Sequence, residues 1–120
     1  MRFLCLYKSA KPEGTPPSDG HMAAMGKFVE ESFKSGILLA TEGCLPTALG
    51  ARIRKANGNF KVTDGPFTES KEIVGGFALI HAKSKEEGIE FAKKFMKVAG
   101  DGEVEIRQVF DDVPIPQSQP

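Results

Sequence analysis

Two carboxylates stand at the ends of strand-like runs, where acid–base chemistry could combine an apolar setting with access to a ligand. Asp64 ends one of these runs, and strand alternation places its side chain on the same side as that of Val62. Burial there would make it a usable acid or base, and the alternative is an Asp that only accepts hydrogen bonds within its own turn. Glu42 ends an earlier run on the predicted face of Leu38 and Ala40. Together they predict acid–base work or cation binding, against the alternative of a solvated Glu.

The segment after Asp64 carries further candidate ligand-binding residues. Phe67 directly follows a turn proline, so its ring has to be buried against the core or a partner. Glu69 and Lys71 alternate along an extended stretch and share a face, where Lys71 could contact an anionic substrate. The alternative for both charges is ordinary solvation.

A basic face is predicted on a hairpin around Asn57 and Gly58. The two-residue turn places Ile53 opposite Val62 and Lys55 opposite Phe60. The other face then carries Arg52, Arg54 and Lys61, which together with Arg107 could attract a carboxylate or phosphate. The alternative is a hairpin face that charge keeps exposed.

The two histidines are weaker candidates. His21 falls near the start of the first predicted helix, where a neutral imidazole could act as a base, and the alternative is an exposed side chain at a helix start. His81 lies in a predicted strand, and we expect a core or strand histidine whose hydrogen bonds are made within the protein, not a catalyst. Cys5 and Cys44 both fall in strand-like runs and are predicted to be reduced thiols of the core, without a metal site.

Helix-capping residues and apolar runs along the chain predict the helices and strands that position these residues. Ser18 and Gly36 bracket the first helix, and Ser84 with Glu87 has the spacing of a capping box that opens the second. Strands are predicted over 3–7, 37–42, 51–63 with its hairpin, 73–82 and 104–109. The chain is thus predicted to be one α+β domain over 1–110, with 111–120 as a proline-containing tail or arm.

Counting apolar surfaces predicts a second copy of the chain. Two helices cover only one face of such a sheet, yet the strands at 3–7, 37–40 and 77–82 are apolar on both faces. A second sheet has to cover the remainder, and a homodimer with two-fold symmetry is the simplest supplier.

The segment Asp64-Gly65-Pro66-Phe67-Thr68-Glu69-Ser70-Lys71-Glu72 resembles the D-G-P-F-A-E-T-K-E signature of the DGPF branch of the YCII-related proteins. The resemblance spans roughly 1–110 and departs at Thr68, Ser70 and Gln108. It implies a ferredoxin-like βαβ-(β-hairpin)-βαβ domain that pairs into a dimeric α+β barrel. It also implies a site in which a histidine of the first helix pairs with an Asp. Counting back from Gly36, that histidine falls near Met25, one turn from His21.

Composition bounds the function. Lys+Arg and Asp+Glu both total 16, so the net charge of zero argues against direct binding of nucleic acid or membrane. The apolar run at 3–7 is too short for a signal peptide or a membrane span, which predicts a cytoplasmic protein. The sequence contains no nucleotide, serine-hydrolase or zinc motif, so no cofactor is predicted.

Two classes of function therefore remain open, beside the plainer option of a dimer that binds no ligand. One is a cofactor-free enzyme that isomerises or eliminates on a small aromatic or lactone-like molecule, in a pocket between the first helix, the hairpin and the Asp64 turn. The other is a non-catalytic ligand-binding or regulatory module, since the resemblance implies relatives that occur beside or fused to sigma factors.

Overall fold

The computed structural model describes residues 1–67 and 73–110, which form six strands, two α-helices and one short 3₁₀ helix. In chain order these elements are β1 (Arg2–Ser9), α1 (Asp19–Ser35), β2 (Leu38–Gly43), the 3₁₀ helix (Thr47–Leu49), β3 (Ala51–Ala56), β4 (Asn59–Asp64), β5 (Gly76–His81), α2 (Lys85–Ala99) and β6 (Gly102–Gln108).

The main sheet has four antiparallel strands in the order β2-β5-β1-β6. Helix α1 connects β1 to β2, and α2 connects β5 to β6, so each helix joins two strands that have one other strand between them in the sheet. This is the ferredoxin-like arrangement, and the predicted α+β class is confirmed. Strands β3 and β4, which lie between β2 and β5 in the chain, form a separate two-stranded sheet.

Both helices begin and end at the predicted signals. The Ser18 hydroxyl accepts a hydrogen bond from a backbone N–H of the first turn at 3.1 Å, and Gly36 ends α1 with φ 85°. The Ser84 hydroxyl accepts from the Glu87 N–H at 3.2 Å. The Glu87 carboxylate accepts in turn from the N–H of Lys83, so the return bond of the capping box lies one residue before the cap.

The core lies between the two helices and one face of the sheet. Ile80 is completely buried there, among Phe3, Cys5, Leu38, Ala78, Ala82 and Phe91. Burial raises the pKa of the Cys5 thiol to about 11, so this thiol is protonated at neutral pH. The prediction of a core thiol is confirmed for Cys5 and wrong for Cys44. Because β2 already ends at Gly43, Cys44 belongs to the following loop and is exposed.

The opposite face of the sheet, called the open face below, is covered by neither helix. Strand alternation and the register place apolar side chains on it, with Leu4 opposite Leu79 and Leu6 opposite Phe77. All four are half-buried in the chain as described. The prediction that β1 and β5 are apolar on both faces is confirmed.

Strand β2 changes face partway along its length. An irregularity in its pairing lies between Leu38 and Ala40. As a result Leu38 lies opposite Ile80 on the helix-covered face, whereas Ala40 and Glu42 lie on the open face, with Glu42 opposite Phe77. The prediction that Glu42 shares a face with Leu38 is therefore wrong, because an extra residue in the strand reverses the alternation.

The β3–β4 hairpin has the predicted turn. Asn57 and Gly58 have φ values of 52° and 80°, as a two-residue turn of this kind requires. The register is also the predicted one, with Ile53 opposite Val62 and Lys55 opposite Phe60. The apolar face of the hairpin is largely exposed, at 66% for Ile53, 70% for Phe60 and 61% for Val62.

Two predictions concern the limits of the chain and its location. Residues 111–120, predicted to be a tail or arm, lie outside the described residues, and the single-domain boundary at 110 stays a prediction. Within 1–67 and 73–110, neither helix is both long and apolar enough to cross a bilayer. The cytoplasmic location stays a prediction.

Candidate functional site

An aromatic cavity of about 280 Å³ opens between α1, α2 and the β2–β5 edge of the sheet. Three phenylalanines form its walls, Phe28 from α1 and Phe91 and Phe95 from α2. The other lining residues are Met25 and Val29 from α1, Leu38, Thr41, Glu42 and Gly43 from β2, and Phe77 and Ala78 from β5. The spacing of the α1 residues places them on one side of that helix.

The rings of the aromatic cavity support one another. Phe28 lies with its centroid 5.4 Å from that of Phe91 and 6.2 Å from that of Phe95. Tyr7 packs edge-on against Phe95 at 5.3 Å, and its hydroxyl donates to the Asp101 carbonyl at 3.1 Å. Ring pairs at these distances are attractive beyond the area they bury. The walls are therefore preformed.

Glu42 is the ionisable residue among the described residues that line the aromatic cavity. It is exposed and lies on the edge strand β2, so it stands at the rim of the cavity. Beside it, the Thr41 hydroxyl donates to the Phe77 carbonyl at 2.7 Å, which leaves the hydroxyl oxygen able to accept. The cavity thus combines an apolar interior with a small number of polar groups at its mouth, as ligand sites commonly do.

The first helix presents Met25, not His21, to this cavity. His21 is half-buried in the first turn of α1, where its backbone N–H donates to the Ser18 hydroxyl. It is not among the residues that line the aromatic cavity. Met25 lies about one turn further along and does line the cavity. The position to which the family resemblance assigns a histidine is therefore at the cavity, but a thioether occupies it.

Asp64 lies elsewhere. It ends β4 opposite Ala51 and shares the hairpin face of Ile53 and Val62, as the register predicts. In the single chain that face is exposed and so is Asp64, so the expectation of an inward-pointing carboxylate is wrong there. The structure does not bring Asp64 into the aromatic cavity that Glu42 lines. Its role as an acid or base stays a prediction.

Two of the predicted ligand-binding residues contact each other. The Arg52 guanidinium lies 4.2 Å from the centroid of the Phe67 ring, in the geometry of a cation–π interaction. Phe67 is half-buried, so this contact covers part of the ring that was expected to need burial. The other two predicted ligand-binding residues, Glu69 and Lys71, lie outside the described residues.

A set of contacts around Thr47, called the Thr47 clamp below, fixes the turn that precedes Phe67. The Thr47 N–H donates to one carboxylate oxygen of Glu13, and the Thr47 hydroxyl donates to the other at 2.8 Å. The same hydroxyl oxygen accepts from the Phe67 N–H at 3.0 Å. A Cβ at Gly65 would overlap the Thr47 carbonyl oxygen, so only glycine permits this close approach.

A second cavity of about 390 Å³ lies beside the Thr47 clamp. One wall is the loop before α1, including Lys11 and Glu13, and the other includes Cys44, Pro46 and Gly75. Glu13 and Thr47 cannot be recognised from the sequence alone, because they are 34 residues apart and neither falls in a recognisable pattern.

Over residues 1–67 and 73–110, no three His, Cys, Asp or Glu side chains cluster as metal ligands would.

Comparison with known proteins gives relatives of both sequence and fold. Over 71 residues the chain is 38% identical to an uncharacterized protein of Rhizobium meliloti (strain 1021), and the match covers 59% of this chain and 54% of that protein. The chain thus matches about half the length of this relative.

The fold is similar to that of a solved structure, the 5-chloro-2-hydroxyhydroquinone dehydrochlorinase of Burkholderia phenoliruptrix AC1100 in complex with 2,5-dihydroxybenzoquinone. The TM-score is 0.55 at 20% identity, covering 92% of this chain and 94% of that one. At this identity the likeness concerns the fold alone. The model of the YCII-related domain matches residues 1–112, and the chain therefore belongs to the YCII-related family.

Proposed function

We propose that the chain binds a small, flat organic ring in the aromatic cavity. The observation that carries the proposal is the set of three phenylalanine walls around a space of about 280 Å³, with Glu42 among the lining residues. An apolar cavity of roughly 150 Å³ is enough to hold benzene, so this one has room for a single ring with substituents. A ring hydroxyl at the mouth could donate to Glu42.

A further part of the proposal is that the site performs acid–base chemistry without a cofactor. Glu42 is the group placed to take a proton from a ring hydroxyl or an acidic C–H, as isomerisation or elimination requires. The dehydrochlorinase of similar fold binds a hydroxylated quinone ring, which supports this ligand class. The D-G-P-F motif at Asp64–Phe67 supports assignment to the DGPF branch.

The second candidate is a ligand-binding module without catalysis, with a regulatory role such as that of relatives linked to sigma factors. Met25 is the specific observation that favours it. A thioether at the position where the resemblance implies a histidine cannot accept or donate a proton at neutral pH. One carboxylate at the rim would then serve only to orient the ligand.

Binding is tested with hydroquinone and 2,5-dihydroxybenzoquinone as probes, by isothermal titration and saturation-transfer NMR. The substitution Met25→Trp fills the aromatic cavity, and we expect it to weaken binding at least about tenfold. Met22→Trp is the matched control, because Met22 is 59% exposed on the same helix and does not line the cavity. Equal affinity in both variants, or no binding to the unaltered protein, would contradict the proposal.

Catalysis is tested separately with Glu42→Gln, which keeps the size of the side chain and removes its basicity. For an enzyme we expect turnover to fall by about a hundredfold or more with little change in probe affinity. Glu86→Gln, at an exposed position in the first turn of α2, is the control. Asp64→Asn in the same assay tests the role predicted for Asp64. If no probe that binds is turned over, the module is the correct function.

We also propose that a second copy of the chain covers the open face. The register places two rows of side chains across the middle of this face. One row contains Ala40, Leu79, Leu4 and Arg107, and the next contains Glu42, Phe77, Leu6 and Glu105. One possible two-fold axis lies in the interface, runs perpendicular to the strands and passes between these two rows. Rotation about this axis would place the first row of one copy over the second row of the partner. Leucines would then meet apolar side chains, and Arg107 would meet the partner's Glu105.

The alternative two-fold axis, parallel to the strands, is less favourable. It would place Glu105 over the partner's Glu42 and bring like charges together at both edges. Within these two rows, the charge pattern therefore favours the antiparallel stacking. Light scattering or sedimentation at micromolar concentration tests the homodimer, and a stable monomer there would contradict it.

A further inference from the structure

The Thr47 clamp joins two segments that are distant in the chain, the loop before α1 and the turn after β4. The Thr47 hydroxyl has one proton and donates it to Glu13, so its oxygen is left to accept from the Phe67 N–H. Donation to a carboxylate polarises the O–H bond and makes the oxygen a better acceptor. The bond to Phe67 therefore depends on the bond to Glu13.

Other contacts of the turn are consistent with a single fixed arrangement. The Gly65 N–H donates to the Gly50 carbonyl at 3.0 Å, just after the 3₁₀ helix that Thr47 begins. Gly65 packs against the Thr47 carbonyl at a distance that excludes any larger residue. On the far side, Arg52 covers the Phe67 ring.

We propose that Glu13 and Thr47 are positioning residues, which hold the Lys11–Pro17 loop and the Asp64–Phe67 turn as one unit and so fix the walls of the second cavity. The loop supplies one wall of that cavity, and Pro46, next to Thr47, supplies part of the other. Walls that are held in place in this way select a ligand by shape without the entropic cost of ordering a loop. This proposal does not depend on the ligand proposed for the aromatic cavity.

Amide hydrogen exchange measures the clamp directly at Phe67. Thr47→Val keeps the shape of the side chain and removes the two hydrogen bonds of the hydroxyl, so we expect the Phe67 amide to exchange about tenfold faster. Glu13→Gln keeps the acceptor for Phe67 but weakens it, so its effect on that amide is expected to be smaller. At the Phe67 amide both changes act through the Thr47 hydroxyl, so for this measurement the double variant is expected to match Thr47→Val alone.

The reactivity of Cys44 reports on the second cavity. Cys44 lines the cavity and is exposed, whereas Cys5 is buried with its pKa raised to about 11 and serves as a slow internal reference. Release of the loop in Glu13→Gln or Thr47→Val is expected to accelerate labelling of Cys44 by a dithiobis-nitrobenzoate reagent several-fold, with Cys5 unchanged.

Two controls keep the test decisive. Thr47→Ser restores the hydroxyl and is expected to return both readouts to those of the unaltered protein, which a mere loss of stability would not do. Glu31→Gln, on the exposed side of α1, is the matched control for Glu13→Gln. If Phe67 exchange and Cys44 labelling are unchanged in folded Glu13→Gln and Thr47→Val, or if the serine variant does not restore them, the positioning role is wrong.

Discussion

The two faces of the main sheet are built from the same strands but are in different states. On one face, α1 and α2 bury Ile80 completely within a closed core. On the other face, its sequence neighbour Leu79 is half-buried, and the row around it has no helix over it. Alternation alone separates these two environments. Adjacent residues can therefore be used to ask which face stabilises the chain and which face recognises a partner.

The aromatic cavity lies at the boundary between the two faces. The rings of Phe28, Phe91 and Phe95 belong to the helix-covered side, whereas Phe77 and Glu42 belong to the open face, because β2 changes face between Leu38 and Ala40. A ligand in this cavity would rest on a rigid wall and meet its polar group at the edge that a second copy would approach. The irregularity in β2 thus places Glu42 on the open face, at the edge of the sheet beside the cavity.

The largest effect is expected from Ile80→Ala on the helix-covered face. Removing a fully buried isoleucine side chain leaves a cavity, and we expect the free energy of unfolding to fall by about 2–5 kcal/mol. Urea denaturation at two protein concentrations measures this, and the loss is expected to be the same at both. A loss that depends strongly on concentration would mean that Ile80 acts through association.

The complementary change on the open face is Leu79→Asp. A carboxylate in the centre of a sheet-to-sheet interface would be buried without a partner, so we expect the dimer dissociation constant to rise by about a hundredfold or more. Sedimentation velocity measures the dissociation constant, and circular dichroism checks that the chain still folds. Leu45→Asp is the control, since Leu45 is 76% exposed outside the sheet. An unchanged dissociation constant for Leu79→Asp would show that the open face is not the interface.

Much of the fold could be predicted from local patterns because local chemistry determines it. The serine caps at Ser18 and Ser84, the glycine at Gly36 and the Asn57-Gly58 turn each require one backbone geometry, and the structure has all of them. The hairpin register followed from the two-residue turn without knowledge of the rest of the chain.

The candidate site could not be predicted in the same way, because it depends on features that are not local. Glu42 was assigned to the wrong face, since an irregular pairing in β2 leaves no clear mark in the sequence. The Thr47 clamp joins residues separated by 34 and 20 positions, so no short pattern contains it. The prediction of a core thiol fails for Cys44 because this residue directly follows the end of β2 at Gly43 and is exposed in the loop.

A smaller effect is expected from pH on the helix-covered face. The pKa of Cys5 is raised from 9.0 to about 11 in the folded chain. Between these values the unfolded chain loses the thiol proton first, which favours unfolding. The contribution of the protonated Cys5 thiol to the free energy of unfolding is therefore fully present below pH 9. It is lost as pH rises towards 11, at up to about 1.4 kcal/mol per pH unit.

Two alanine variants isolate this contribution from the titration of other groups. Cys5→Ala is expected to flatten the dependence of the free energy of unfolding on pH between 9 and 11, as measured by urea denaturation. Cys44→Ala is expected to retain it, because Cys44 is exposed. Equal slopes in the two variants would place the pH dependence outside Cys5.

The smallest effect is expected from Arg107→Gln at the edge of the open face. Within the chain, Arg107 contacts the Glu105 carboxylate at 3.2 Å, and exposed pairs of this kind contribute less than about 1 kcal/mol to stability. In the monomeric Leu79→Asp background we therefore expect almost no change in the free energy of unfolding. If the open faces stack antiparallel, Arg107 also meets the partner's Glu105, and its loss should weaken the dimer several-fold, more so at low salt.

Lys93→Gln, which breaks a similar exposed pair with Glu90 on α2, should leave dimerisation unchanged. Equal effects of Arg107→Gln and Lys93→Gln on the dissociation constant would remove the charge argument for the antiparallel arrangement while leaving the apolar face as the reason to associate.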